Sequence, residues 1–126
     1  MSEQSILRLT MSATVEPSKW EKLEQLMAAA RISIPKEGDG VLIHECHYNP
    51  DTLEIIFLES YADENELIKH AQAFGPVMNE HKVDWKINRI DLLGNYSDDI
   101  FAMMKGMAGG ATVNLYNNVF KMIGQR

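Results

Sequence analysis

The sequence predicts an α+β domain in which helices cover one face of a four-stranded antiparallel sheet, with a helical C-terminal extension. Three observations carry this. Residues 40–63, GVLIHECHYNPDTLEIIFLESYAD, hold two β-rich runs, 41–48 and 53–61, around the turn formers Asn49-Pro50-Asp51-Thr52. A four-residue connection between such runs is that of an antiparallel hairpin. Around it, strand and helix periodicities follow the order strand, helix, strand, strand, helix, strand, the split βαβ arrangement of ferredoxin-like domains. Finally, both hairpin strands are apolar on both faces: Leu42, His44, Cys46 and Tyr48 oppose Val41, Ile43, Glu45 and His47, and Leu53, Ile55, Phe57 and Tyr61 oppose Ile56 and Leu58. Such strands belong to a sheet covered on both sides. The chain's own helices supply one cover, and a second copy is expected to supply the other.

Residues 6–15 form the first strand, with Leu7, Leu9, Met11 and Ala13 on one face and Arg8, Thr10 and Ser12 on the other. Pro17, and Ser18 with Glu21 at capping-box spacing, open a helix over 18–30. Trp20, Leu23, Leu26, Met27 and Ala30 are its apolar stripe. Residues 31–35 fit no single pattern, and 36–40, with Gly38 and Gly40, form a loop into the hairpin. Asp63, with Glu66 three residues on, starts a second helix whose buried stripe is Leu67, Ala71 and Phe74. Gly75-Pro76 is expected to interrupt it, because proline lacks the donor for the helical ladder, and a second piece covers 77–82. Residues 86–93 form the last strand, with Ile87 opposed to Ile90 and Leu92. The domain thus spans 1–95, and 96–126 is an extension that packs on the domain or on a partner subunit. Ser97-Asp98-Asp99 caps a helix carrying Ile100, Met103, Met104 and Met107, and 106–110 is a glycine hinge. A second stripe, Val113, Tyr116, Val119 or Phe120, and Ile123, completes the extension. Methionine is an adaptable apolar filler, suited to a packed tail or to a lid over a ligand.

The chain has 126 residues, 45% of them hydrophobic, and a net charge of −6. That is enough for one domain with a core. An acidic chain without a basic run is a poor partner for a phosphate backbone, so no nucleic acid is expected. The single cysteine, Cys46, allows no internal disulfide, as in a reducing compartment. No apolar run approaches the roughly 20 residues that span a bilayer, and the N-terminus has no signal-peptide pattern. The expectation is a cytoplasmic protein with no membrane partner.

Four stretches resemble the antibiotic biosynthesis monooxygenase-like domains of the dimeric α+β barrel superfamily. They are Gly40-Val41-Leu42-Ile43-His44-Glu45, Ile56-Phe57-Leu58-Glu59-Ser60-Tyr61-Ala62-Asp63, Glu66-Leu67-Ile68-Lys69-His70, and Ile87-Asn88-Arg89-Ile90-Asp91-Leu92-Leu93-Gly94 followed by a Ser-Asp pair. The resemblance covers roughly residues 5–95 and points to a branch with a C-terminal extension. It implies a homodimer whose sheets face each other, and a ligand held between the sheet and the helices of one subunit. It also implies cofactor-free oxygenation of an aromatic or quinol-type small molecule. A non-catalytic ligand-binding or regulatory dimer is the alternative, favoured by Phe74-Gly75-Pro76-Val77 standing where many members carry a second histidine. Haem binding through His70 or His81 ranks below both.

His70, at the edge of the second helix's stripe, is the catalytic candidate, as base or as donor to a phenolic oxygen; a structural histidine bonded to a strand is the competing role. Tyr61, Phe74, Trp85, His81 and His44 are the candidate pocket lining. For Tyr61 and Trp85 the competing role is packing, and for His81 it is a solvated surface histidine. His44, Cys46 and His47 do not form a metal site, because His47 points away from the face that His44 and Cys46 share and zinc takes three or four ligands. No metal is therefore expected, the resemblance implies no cofactor, and nothing activates Cys46 as a nucleophile. One of Asn88 and Arg89 is expected on the core side with a partner. Arg8, Glu45, Glu59 and Arg89 are assigned to ion pairs at the dimer interface.

Overall fold

The computed structural model describes residues 6–117. Strand β1 (Leu7–Thr14) leads through a 3-10 turn at Pro17–Lys19 into helix α1 (Trp20–Ser33), which ends in a second 3-10 turn, Ile34–Glu37. The hairpin is β2 (Val41–Asn49) and β3 (Glu54–Tyr61). Helix α2 (Glu64–Glu80), strand β4 (Lys86–Leu93), helix α3 (Asp98–Met107) and strand β5 (Thr112–Tyr116) complete it. The sheet order is β2-β3-β1-β4-β5, antiparallel except for the parallel β4–β5 pair. The first four strands have the order that a split βαβ unit gives.

The predicted faces hold on β1 and β3, and on β2 from Ile43 onward; the β2–β3 register shifts between Val41 and Ile43, so Val41 packs on the core and Leu42 is 47% exposed, against the predicted alternation. Leu7, Leu9, Ala13, Ile55, Phe57 and Tyr61 are buried on the helix side, while Ile43 and Ile56 are 40% and 41% exposed on the other. On β4 the predicted opposition of Ile87 to Ile90 does not hold. The β1–β4 register shifts between Ser12 and Ala13, so Ser12 pairs with Arg89 but Ala13 with Ile87. Asn88 is the extra residue of a bulge, and a bulge resets the two-residue alternation. Ile87 and Ile90 therefore both reach the core side. Neither Asn88 nor Arg89 enters the core. The Asn88 amide donates to Thr14 Oγ1 at 3.0 Å and to Ser12 Oγ at 3.4 Å, and Arg89 is exposed and pairs with Asp91 at 2.7 Å.

Three helix assignments change. The Ser18–Glu21 capping box does not form, because Ser18 lies inside the 3-10 turn rather than at the cap of α1. Asp63, in contrast, accepts from the Glu66 amide at 3.0 Å as predicted. Helix α2 runs unbroken through Gly75-Pro76. Pro76 and Gln72 are both exposed, so the carbonyl left without its amide partner lies on the solvent side, where water offsets much of the cost. The extension is only partly helical. Ser97 caps α3, accepting from the Ile100 amide, but the helical stripe expected from Val113 onward is strand β5 as far as Tyr116, hydrogen-bonded along β4. Gly109 and Gly110, at φ 61° and 95°, make the turn between them. Val119, Phe120 and Ile123 lie outside the described residues.

Helices α1, α2 and α3 pack on one face of the sheet. Leu23 of α1 meets Ala13, Ile55 and Phe57; Leu26 and Ala30 meet Phe74 of α2; Leu67 of α2 joins Ile100 and Met104 of α3 over Leu7, Leu9, Ile90 and Leu92. These clusters do not close completely on one another, and the space left between them is a cavity.

Gly38 ends the 3-10 turn that follows α1. Its φ of 104° with ψ −159° is a glycine-only conformation. Gly38→Ala is expected to cost about 1–3 kcal/mol, read as a lower urea midpoint with an unchanged slope.

Candidate functional site

The cavity, of about 160 Å³, lies between the sheet and the helices. Leu9, Met11, Phe57, Ile87 and Ile90 form its floor, Leu26, Met27, Ala71, Phe74 and Met78 its helical walls, and Met103, Met104 and Met107 of α3 its far end. Trp85, just before β4, meets Phe57 edge-on with centroids 5.6 Å apart. The polar side chains in the lining are His44, Glu59 and His70, with the hydroxyl of Tyr61.

Strand parity and register assemble this group. His44 faces inward from β2 and pairs in register with Glu59 of β3. Glu59 shares its face with Phe57 and Tyr61, two residues to either side. The Tyr61 hydroxyl donates to Glu59 Oε1, and His44 Nε2 lies 3.5 Å from Glu59 Oε2. From above, α2 contributes His70, which is 6% exposed and therefore within the buried stripe rather than at its edge. Its ring stacks on Phe74 at 5.1 Å and 17°, and lies 5.2 Å from the His44 ring and 5.4 Å from that of Tyr61.

The partner of His70 is Glu37, from the 3-10 turn after α1. His70 Nδ1 and Glu37 Oε1 are 2.9 Å apart, with side chains 8% and 5% exposed. Because a carboxylate only accepts, Nδ1 is the donor in this bond, and in the Nδ1–H tautomer Nε2 is the acceptor. Glu37 Oε2 is buried with no hydrogen-bond partner among the described residues. Glu37 was hidden in the sequence, among Lys36, Gly38 and Asp39 in what reads as a surface loop; only the nearby Pro35 and Gly38 mark a constrained turn.

Of the sequence candidates, His70, His44, Tyr61, Phe74 and Trp85 line one cavity. His81 caps the C-terminus of α2 and is not part of that lining. Glu59 is not at the outer face, where the interface assignment put it. Glu45 is, and it pairs there with His47 at 3.0 Å. Cys46 is half-buried, and burial pushes its thiol up, away from the reactive thiolate.

Burial lowers the pKa of His44 below 6.5; Glu59 and Glu37 oppose this, and His70 adds to it. The fold thus prefers neutral His44. A depressed histidine contributes stability that is complete above the unfolded value near 6.5 and lost as pH falls through the folded value. Between about pH 7.5 and about pH 5.5, wild type is expected to lose more of its urea midpoint than His44→Gln. Burial also raises the Tyr61 hydroxyl, with Glu59 adding to it, so Tyr61 stays protonated and donating.

No family model matches the chain, and no curated protein sequence matches it. Solved structures do. MupZ from Pseudomonas fluorescens superposes with a TM-score of 0.77 at 14% identity, over 98% of this chain and 96% of its own. A "putative antibiotic biosynthesis monooxygenase" from Bacteroides thetaiotaomicron gives 0.53 at 22% identity, over 71% of this chain and 85% of its own. One of the same description from Caulobacter crescentus gives 0.54 at 18%, over 71% and 88%. The fold is that of the antibiotic biosynthesis monooxygenase-like proteins. The share of this ferredoxin-like α+β chain that is covered differs between these neighbours. The two proteins of that description match a share close to that of the β1–β4 unit, while the match to MupZ extends over nearly the whole chain, α3 and β5 included. Among the described residues no helix is long and apolar enough to cross a membrane.

Proposed function

We propose that the protein is a small-molecule oxygenase that takes a single-ring, quinol-type aromatic into the cavity, with His70 as the base and Glu37 holding it. The observation that carries this reading is a carboxylate-oriented imidazole, buried, in the lining of a cavity whose other polar groups are His44, Glu59 and the Tyr61 hydroxyl. General-base chemistry needs that arrangement: a fixed tautomer and a free acceptor within reach of the substrate hydroxyl. His70 Nε2 takes the phenolic proton, and the electron-rich anion that results is the species dioxygen oxidises. Conversion of a quinol to a hydroxyquinone and water balances with dioxygen alone, because the substrate supplies all four electrons. The cavity volume, about 160 Å³, is close to that of an engineered cavity of roughly 150 Å³ that holds benzene. One ring fits, and three fused rings require the α3 methionines to move. Names given to proteins of this fold include monooxygenase, which supports the reaction class.

The dimer belongs to the same reading. The sheet face away from the helices carries Ile43, Ile56, Leu93 and Tyr116 at 39–49% exposure, an apolar surface that a second copy covers. Arg8, Glu45 and Arg89 lie on that face, and Glu59 does not.

The test is oxygen uptake with single-ring quinols, product analysis for the hydroxyquinone, and the mass in solution. Stoichiometric uptake by a dimer supports the reading. Saturable binding of the quinol without uptake leaves the ligand-binding alternative in its place, and a monomer removes the interface.

A further inference from the structure

We propose that His44, Glu59 and His70 form a binding site for one divalent first-row transition-metal ion. The sequence offered no such site, because its three donors come from β2, β3 and α2 and meet only in the folded chain. One donor atom from each lies within 4.8 Å of the other two. With metal–ligand bonds of about 2.0–2.2 Å, tetrahedral donors stand roughly 3.4 Å apart, so ring rotations that move the nitrogens by roughly 1–1.5 Å complete the site.

Two features outside the trio aim these donors. Glu37 holds His70 at Nδ1, which leaves Nε2 as the ring nitrogen free to bind an ion. Tyr61 holds Glu59 at Oε1, which leaves Oε2 on the His44 side. Metal-bound histidines typically donate their other ring proton to a carboxylate or carbonyl, which fixes the tautomer; Glu37 is already in that position. Charge supplies a second argument. Glu37 and Glu59 place two carboxylates in the interior, with side chains 5% and 15% exposed, and among the described residues no lysine or arginine lines the cavity. Glu37 Oε2 has no hydrogen-bond partner among them either. A dication offsets this excess. Two imidazoles and one carboxylate suit zinc, iron, cobalt or nickel, whereas magnesium and calcium prefer oxygen alone. All three residues line the cavity.

The ion and the base compete for His70 Nε2, so metal loading suppresses the proton transfer from the quinol. The site itself stands independently of that reaction, and its test uses no substrate. Metal-free protein is titrated with Zn²⁺ by calorimetry and with Co²⁺ by visible absorption. One equivalent is expected to bind. The cobalt spectrum is expected to show d–d bands of nitrogen and oxygen ligation without a thiolate charge-transfer band. His44→Gln and Glu59→Gln, each verified as folded by circular dichroism, lose the binding, and Glu37→Gln weakens it 10–100-fold. His47→Ala and His81→Ala leave it unchanged. The proposal is overturned by the absence of saturable binding to folded wild type, by a thiolate band from Cys46, or by binding that survives in the Glu59→Gln/His44→Gln double variant. The cobalt spectrum of wild type decides the point even where a variant does not fold.

Discussion

His70→Ala lowers the rate of quinol oxidation by about 10²–10⁴-fold, the usual contribution of a positioned general base. The same substitution takes the imidazole away from Glu37, whose other oxygen is already orphaned. A buried carboxylate stripped of its partner destabilises a fold by about 1–3 kcal/mol or more, so a bare loss of activity is ambiguous. The double variant Glu37→Gln/His70→Ala resolves it. It removes the uncompensated charge and recovers much of the stability, yet it has no base. If the rate stays low while the urea midpoint recovers, the role of His70 is chemical. If rate and midpoint return together, His70 is a structural histidine, and the proposed reaction has lost its base. Glu37→Gln alone gives the positioning effect. The amide can donate where the carboxylate could only accept, so the tautomer of His70 is no longer fixed, and the loss appears in turnover more than in apparent affinity.

Period and turn chemistry make one part of this molecule legible in its sequence. The hairpin, the inward face of β1 and the Asp63 and Ser97 caps each depend on residues near one another in sequence, and the structure has them where the pattern puts them. The features that escaped depend on contacts between distant segments. Strand β5 reads as a helical stripe because Val113 and Tyr116 are three apart; its partner β4 decides the matter. The bulge at Asn88 has no local signature, so Ile87 reads as out of phase with Ile90 until β1 is laid beside them. Gly75-Pro76 has the composition of a break, but an exposed carbonyl on Gln72 makes the defect tolerable. Glu59 is the instructive case. It has the same parity as Ile55, Phe57 and Tyr61, so the inward position was available from the strand pattern; its charge argued for the surface and prevailed over parity. Glu37 had no comparable signal. Its burial comes from α2 laying His70 over the end of α1, thirty-three residues away in sequence.

Met104→Ala is expected to cost about 2–5 kcal/mol, the range for truncating a buried methionine, and to widen the choice of ligand at the same time. Met104 is 6% exposed, packs with Leu7, Leu9, Ile90 and Leu92, and forms part of the cavity's end wall. Elsewhere in the core a truncation leaves a new void. Here the vacated volume joins space that already exists, so a ligand with a second ring can occupy it. Binding then returns stability: at a hundredfold excess over its Kd, a ligand specific to the folded state contributes about 2.7 kcal/mol. Met107 provides the comparison. It touches the same cavity but is 54% exposed, and its truncation should fall within about 0.5 kcal/mol of wild type. The pair of measurements, urea midpoints and thermal shifts with one-ring and two-ring phenols, separates two roles for α3. A helix that is only a brace gives Met104→Ala a stability loss with unchanged ligand preference. A helix that is the wall of a binding site gives the same loss together with a shift toward the larger ring. The second result is expected, because the aliphatic floor and the His44–Glu59–His70 group are fixed by the sheet and α2, and the methionine end is the part of the lining whose side chains can yield without breaking a hydrogen bond.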